Sequence, residues 1–140
     1  IDGNDAKDFD DALYVEHKAN GYDVYVAIAD VSSYVQPKSP IDIEAAKRGV
    51  STYFPGFVIP MLPEKLSNDL CSLRPQRLRK TLTCIIHIRK NKVHSYRFTP
   101  AVIRSKARLT YEQVEENKVP KKLQSDIDIS HRSPSSRFSE

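Results

Sequence analysis

The apolar positions of the chain fall into short runs of period two, separated by glycine, proline and charged clusters. Residues 12–18 and 23–30 are rich in Tyr, Val and Ile, and Ala19, Asn20, Gly21 and Tyr22 join them, which predicts a β-hairpin. In its second arm Val24, Val26 and Ile28 alternate with Tyr25, Ala27 and Ala29, so both faces are apolar and a central strand is expected. Residues 81–90 alternate again, with Leu82, Cys84, Ile86 and Ile88 on one face and Thr81, Thr83, Ile85 and His87 on the other. A return strand over 93–98 follows a tight Asn91-Lys92 connection. Ser39 and Pro40 supply an N-cap and a first helical residue, and Asp42 and Glu44 suit the positive end of a helix over 41–49. Thr110 with Gln113 forms a capping box that opens a helix over 111–117. Between these elements, Pro55, Gly56, Pro60 and Pro63 exclude a regular helix or central strand and predict an extended loop displaying Tyr53, Phe54 and Phe57; residues 64–70 then suit a short helix.

This order of elements predicts an α/β fold: a mixed, mostly antiparallel sheet flanked by helices, occupying residues 1–118. From 119 to 140 apolar residues thin out among serines and charges, and a poorly ordered tail is expected. At 140 residues the chain is long enough for one domain that buries roughly two thirds of its unfolded surface. It opens on Ile1 and is expected to be part of something longer. No apolar run is long enough to cross a bilayer, and cytoplasmic residence as a monomer is the expectation. Cys71 and Cys84 have no partner at metal-ligand spacing and are expected to be reduced, buried small hydrophobes.

Charge divides the chain unequally. Residues 1–70 carry 12 acidic and 6 basic side chains, whereas residues 71–140 carry 6 acidic and 16 basic ones. No acid lies between Asp69 and Glu112, a gap that includes Arg74, Arg77, Arg104, Lys106 and Arg108. Such a stretch suits a polyanion, or else a basic surface balancing an acidic neighbour.

The opening I-D-G-N-D-A-K-D-F-D-D-A-L places Asp2, Asp5, Asp8, Asp10 and Asp11 within ten positions. Carboxylates this close repel, and a bound cation is the usual reason for keeping them together. Oxygen donors without His or thiolate suit a hard ion such as Mg²⁺ or Mn²⁺. A calcium-binding EF-hand loop does not fit, because Ala6 and Lys7 stand where it needs a ligand and a glycine. A solvated acidic loop with Asp10 or Asp11 capping a helix is the alternative, against which Phe9, Ala12 and Leu13 argue by anchoring the acids to a core. Ser67 and Ser72 lack a visible His and acid partner, and read as loop-capping or structural. Asp30 suits either support of the acidic cluster or a turn.

Four blocks, taken in order, resemble the catalytic RNB domain of the ribonuclease II and ribonuclease R family: the acidic opening, V-A-I-A-D-V-S-S-Y-V, Y-F-P-G-F-V-I-P-M-L-P-E-K-L-S-N-D-L-C-S-L and S-K-A-R-L-T-Y-E-Q-V. Ribonuclease R-like members are the nearer group, and the resemblance spans residues 1–114. It implies an incomplete RNB-type domain from a hydrolytic 3′-to-5′ exoribonuclease that acts on single-stranded RNA and releases 5′-nucleotides. By the same resemblance Asp2, Asp8, Asp10 and Asp11 are the catalytic and Mg²⁺-binding acids, and Tyr53 packs on a base at the 3′ terminus. Arg74, Arg77, Arg104, Lys106 and Arg108 are the candidate phosphate contacts. The family's later arginine-bearing segment and its flanking RNA-binding domains have no counterpart here. An inactive, RNA-binding fragment is therefore the second reading.

Overall fold

The computed structural model describes residues 1–116, 118–119 and 123. Its centre is a four-stranded antiparallel sheet in the order β1-β2-β5-β6, built from β1 (Asp11–Lys18), β2 (Gly21–Ala29), β5 (Leu78–Arg89) and β6 (Lys92–Arg104). The alternation in 23–30 does mark a central strand, with β1 and β5 on either side. Gly21 is obligatory at the β1–β2 corner. Its φ is +148°, and a Cβ there would stand 2.1 Å from the Ile88 carbonyl oxygen.

The second hairpin is longer than its sequence suggests. The turn is Lys90-Asn91, both with positive φ, rather than Asn91-Lys92, and β6 continues through Pro100 to Arg104. Proline reads as a stop, but β6 is an edge strand, where a missing N–H is tolerated. A one-residue bulge follows the turn: Val93 faces Ile88 and Ser95 faces His87, leaving His94 between them.

Helix α1 (Pro40–Arg48) begins as its cap predicts, with the Ser39 hydroxyl accepting from the Asp42 N–H at 3.3 Å. The proline-rich stretch is a small hairpin, not an irregular loop: β3 (Thr52–Phe54) pairs with β4 (Phe57–Ile59) across Pro55-Gly56, with Gly56 at φ +86°. In place of a regular helix after Pro63 there is one wide turn over Leu66–Leu70, closed by the Cys71 N–H on the Leu66 carbonyl. Helix α2 (Tyr111–Glu115) carries both hydrogen bonds of its capping box. Apart from Val119 and Leu123, the tail lies outside the described residues.

Two cores form. Phe9, Ala29, Leu66, Cys71 and Leu73 pack at one end of the sheet, and Val15, Val24 and Ile88 at the other. Each fully buried aliphatic side chain contributes about 1.5–3 kcal/mol. The registers place Leu13, Ile28, Leu82, Phe98 and Val102 on one sheet face, and all five are exposed. Ile28 thus departs from the expectation that β2 is covered on both faces.

Candidate active site

The acidic segment runs irregularly beside the Phe9 core, and three distant parts of the chain position its backbone. Asp2 bridges in parallel to Thr110: its N–H donates to the Leu109 carbonyl at 3.2 Å, and its carbonyl accepts from the Tyr111 N–H at 3.3 Å. Arg108 straps the same turn, donating through Nη2 to the carbonyls of Gly3 and Asn4 at 2.6 Å each. Its guanidinium lies 5.1 Å from the Phe9 ring centre, within cation–π range. Asp8 sits between Lys7 and Phe9, both of which hydrogen-bond the buried Ser72 hydroxyl. The Asp10 carbonyl accepts from the Ala29 N–H at 2.8 Å, and Asp11 then opens β1 opposite Ile28.

This brings Asp2, Asp8, Asp10 and Asp11 into one electrostatic neighbourhood. Partial loss of solvent, reinforced by the charges of Asp8, Asp11 and Asp2, pushes the Asp10 carboxyl above the usual carboxylate range. Among the described residues no three acidic, histidine or cysteine groups stand close enough to form a ready metal site. The donor chemistry nevertheless fits Mg²⁺, which takes one or two carboxylates, keeps several waters and completes its shell with substrate phosphate. A cation would also relieve the repulsion at Asp10.

The basic candidates lie on two stretches of chain that a backbone hydrogen bond joins. Arg74 and Arg77 flank a turn in which the Gln76 N–H donates to the Ser105 carbonyl at 2.8 Å, setting that turn beside Arg104 and Lys106. Arg74 also lines a cleft of about 300 Å³ with Lys7, Phe9, Asn68 and Arg108. Tyr53 stands apart on the β3–β4 hairpin, 69% exposed, next to Phe54 and Phe57, whose rings stack at 4.8 Å. Asp30 adopts the turn role: its two carboxylate oxygens accept from the Ser32 and Ser33 hydroxyls at 2.5 and 2.6 Å. Those bonds hold its carboxyl below the usual range. Cys71 is buried, Cys84 is half-buried, and both are free thiols; burial, then the Asp10 charge, pushes the Cys71 thiol up.

Several residues in this region carry no sequence signal. Ser72 has no recognisable partner pattern, and Arg79 is one arginine among many until its Nη2 meets Asp69 at 3.2 Å. The Asn4–Glu112 hydrogen bond, 2.9 Å, joins residues 108 positions apart.

The RNB domain profile matches residues 1–131. The chain belongs to the RNB family. The match runs beyond residue 114, where the four blocks end. RNB proteins called ribonuclease R are close relatives: that of Escherichia coli K12 is 55% identical over 116 residues, covering 81% of this chain and 14% of the relative. The chain therefore spans about one seventh of the length of that relative. Among solved structures, Mycoplasma genitalium RNase R in complex with double-stranded RNA superposes with a TM-score of 0.85 at 39% identity, covering 94% of this chain and 25% of that one. Yeast Ssd1, described as a pseudonuclease, matches with a TM-score of 0.74 at 24% identity over 86% of this chain and 15% of its own, a likeness of fold alone. No described helix is long and apolar enough to cross a membrane.

Proposed function

We propose that this chain carries the metal-binding acids and part of the RNA path of a hydrolytic 3′-to-5′ exoribonuclease that acts on single-stranded RNA in the cytoplasm, as a monomer, and releases 5′-nucleotides. The observation that carries this reading is the run of Asp2, Asp8, Asp10 and Asp11, coupled electrostatically at Asp10, next to a cleft lined by Lys7, Arg74 and Arg108. A pure RNA-binding module gains nothing from negative charge facing a polyanion, whereas a cation-assisted nuclease requires it. Asp2, Asp8, Asp10 and Asp11 would hold Mg²⁺ or Mn²⁺, which when bound lowers the pKa of a coordinated water and offsets charge on the scissile phosphate. The remaining work is positioning. Arg74, Arg77, Arg104 and Lys106 contact phosphates in sequence-independent fashion, and Arg108 adds its charge while strapping the acidic segment. Tyr53, exposed on a short hairpin, stacks on a base at the 3′ end. That Mycoplasma genitalium RNase R was solved with RNA supports RNA as the substrate class.

Incubating the chain with 3′-labelled and 5′-labelled single-stranded RNA, with Mg²⁺ and with chelator, tests the proposal. Metal-dependent release of mononucleotides from the 3′ end is expected from a sufficient site. The second reading, an RNA-binding unit without turnover, is favoured by the basic stretch between Asp69 and Glu112, which holds no acid and suits a polyanion. It predicts metal-independent RNA binding and no release.

A further inference from the structure

We propose that Ser72 is a positioning residue for the acidic segment, its hydroxyl acting as a latch that sets Asp8 relative to Asp10 and Asp11. The inference rests on the reading of these acids as a cation site. Asp8 is flanked by Lys7 and Phe9, and a single side chain bonds the backbone on both sides of it. The Ser72 hydroxyl donates to the Lys7 carbonyl at 2.7 Å and accepts from the Phe9 N–H at 3.1 Å. The next residue continues the pairing, with the Leu73 N–H donating to the Phe9 carbonyl at 2.8 Å. Ser72 is wholly excluded from solvent.

The latch is itself held from behind. The Ser72 carbonyl accepts from Arg79 Nε at 2.9 Å, its N–H donates to the Asp69 carbonyl at 3.2 Å, and Arg79 Nη2 meets the Asp69 carboxylate at 3.2 Å. A hydroxyl is the smallest group that can donate in one direction and accept in the other. Alanine fits the space but leaves the Lys7 carbonyl and the Phe9 N–H without their partner, freeing the backbone that carries Asp8 to rotate. The Ser72 hydroxyl bonds backbone groups of Lys7 and Phe9, so its influence on a cation passes through backbone geometry, as outer-shell partners of metal ligands act.

The test measures Mn²⁺ affinity of the purified chain and hydrogen exchange at the Phe9 amide, below the melting transition. Ser72→Ala is expected to weaken Mn²⁺ binding roughly ten- to hundredfold and to speed exchange at Phe9, while Ser72→Thr, which keeps the hydroxyl, recovers most of both. Ser72→Cys preserves the packing with weaker hydrogen bonds and gives the same direction with a smaller loss should the alanine chain not fold. Asp10→Asn is the control for the underlying reading: it should abolish Mn²⁺ binding and leave the Phe9 amide protected. Unchanged Mn²⁺ affinity in Ser72→Ala, with Phe9 deprotected and Asp10→Asn unable to bind, overturns the latch alone. Unchanged affinity in Asp10→Asn overturns the cation site, and the latch with it.

Discussion

Asp10, immediately before β1, and Asp23, within the neighbouring β2, are carboxylates with opposite surroundings. Asp23 lies inside β2, only 6% exposed, and its Oδ1 is 2.9 Å from His87 Nδ1 and 2.9 Å from Arg89 Nη2. Burial alone would raise its carboxyl, but the hydrogen bonds and charges of His87 and Arg89 outweigh burial and hold it below the usual range. At Asp10 partial burial, reinforced by the charges of Asp8, Asp11 and Asp2 with no compensating cation partner among them, moves the carboxyl up. One end of the sheet therefore neutralises its acid internally, whereas the other sets several acids beside one another. Internal neutralisation supports the fold, whereas the repulsion at Asp10 is what the proposed cation would relieve.

The sharpest way to break this contrast is Asp10→Asn. In a full-length RNB protein carrying these residues it should abolish metal-dependent cleavage, read with 3′-labelled RNA, while RNA binding stays intact or tightens. Weakened binding with cleavage retained would place Asp10 on the structural side of the comparison. Next in size is Gly21→Ala, which drives a Cβ into the Ile88 carbonyl beside the Asp23 cluster and should cost about 3 kcal/mol or more in urea unfolding. Stability close to that of the parent chain would show that the β2–β5 pairing can shift without penalty.

Asp23→Asn should destabilise by about 1–3 kcal/mol, since it weakens the partners of His87 and Arg89 inside the sheet. The same variant tests the pH dependence. A carboxyl whose folded pKa is depressed binds fewer protons folded than unfolded, so its stabilisation is present above the usual carboxylate range, near pH 4, and is lost as pH falls through the folded pKa. Acid titration of the melting temperature should therefore fall less steeply below about pH 4 in Asp23→Asn than in the parent. Equal slopes would remove Asp23 from the account. The smallest effect belongs to Tyr53→Ala: no change in melting, and RNA binding weakened by about 1 kcal/mol, because an exposed ring supports no core but can stack on a base. A lowered melting temperature would mean that the hairpin contributes to the fold instead.

What the amino-acid sequence determined by itself was what depends on near neighbours. The caps at Ser39 and Thr110 join residues three apart, the alternation in β2 and β5 is a property of each strand, and five aspartates within ten positions announce their repulsion without any fold. The four blocks of family resemblance were likewise contiguous words. Errors arose where a local signal competed with a longer-range one: the strand expected over 93–98 is carried past Pro100 by pairing with β5, and the Pro55-Gly56 corner turns an apparent loop into a hairpin.

Only the tertiary structure decided which residues hold the acids in place. Ser72 reaches Lys7 across 65 positions, Arg108 reaches Gly3 across 105, and His87 meets Asp23 across 64. Hydrogen bonds of this range exist only once strand register and loop closure have brought the partners together. Loop-closure entropy opposes every one of them, and the cooperative burial of the whole core, to which no single residue type testifies, is what overcomes it.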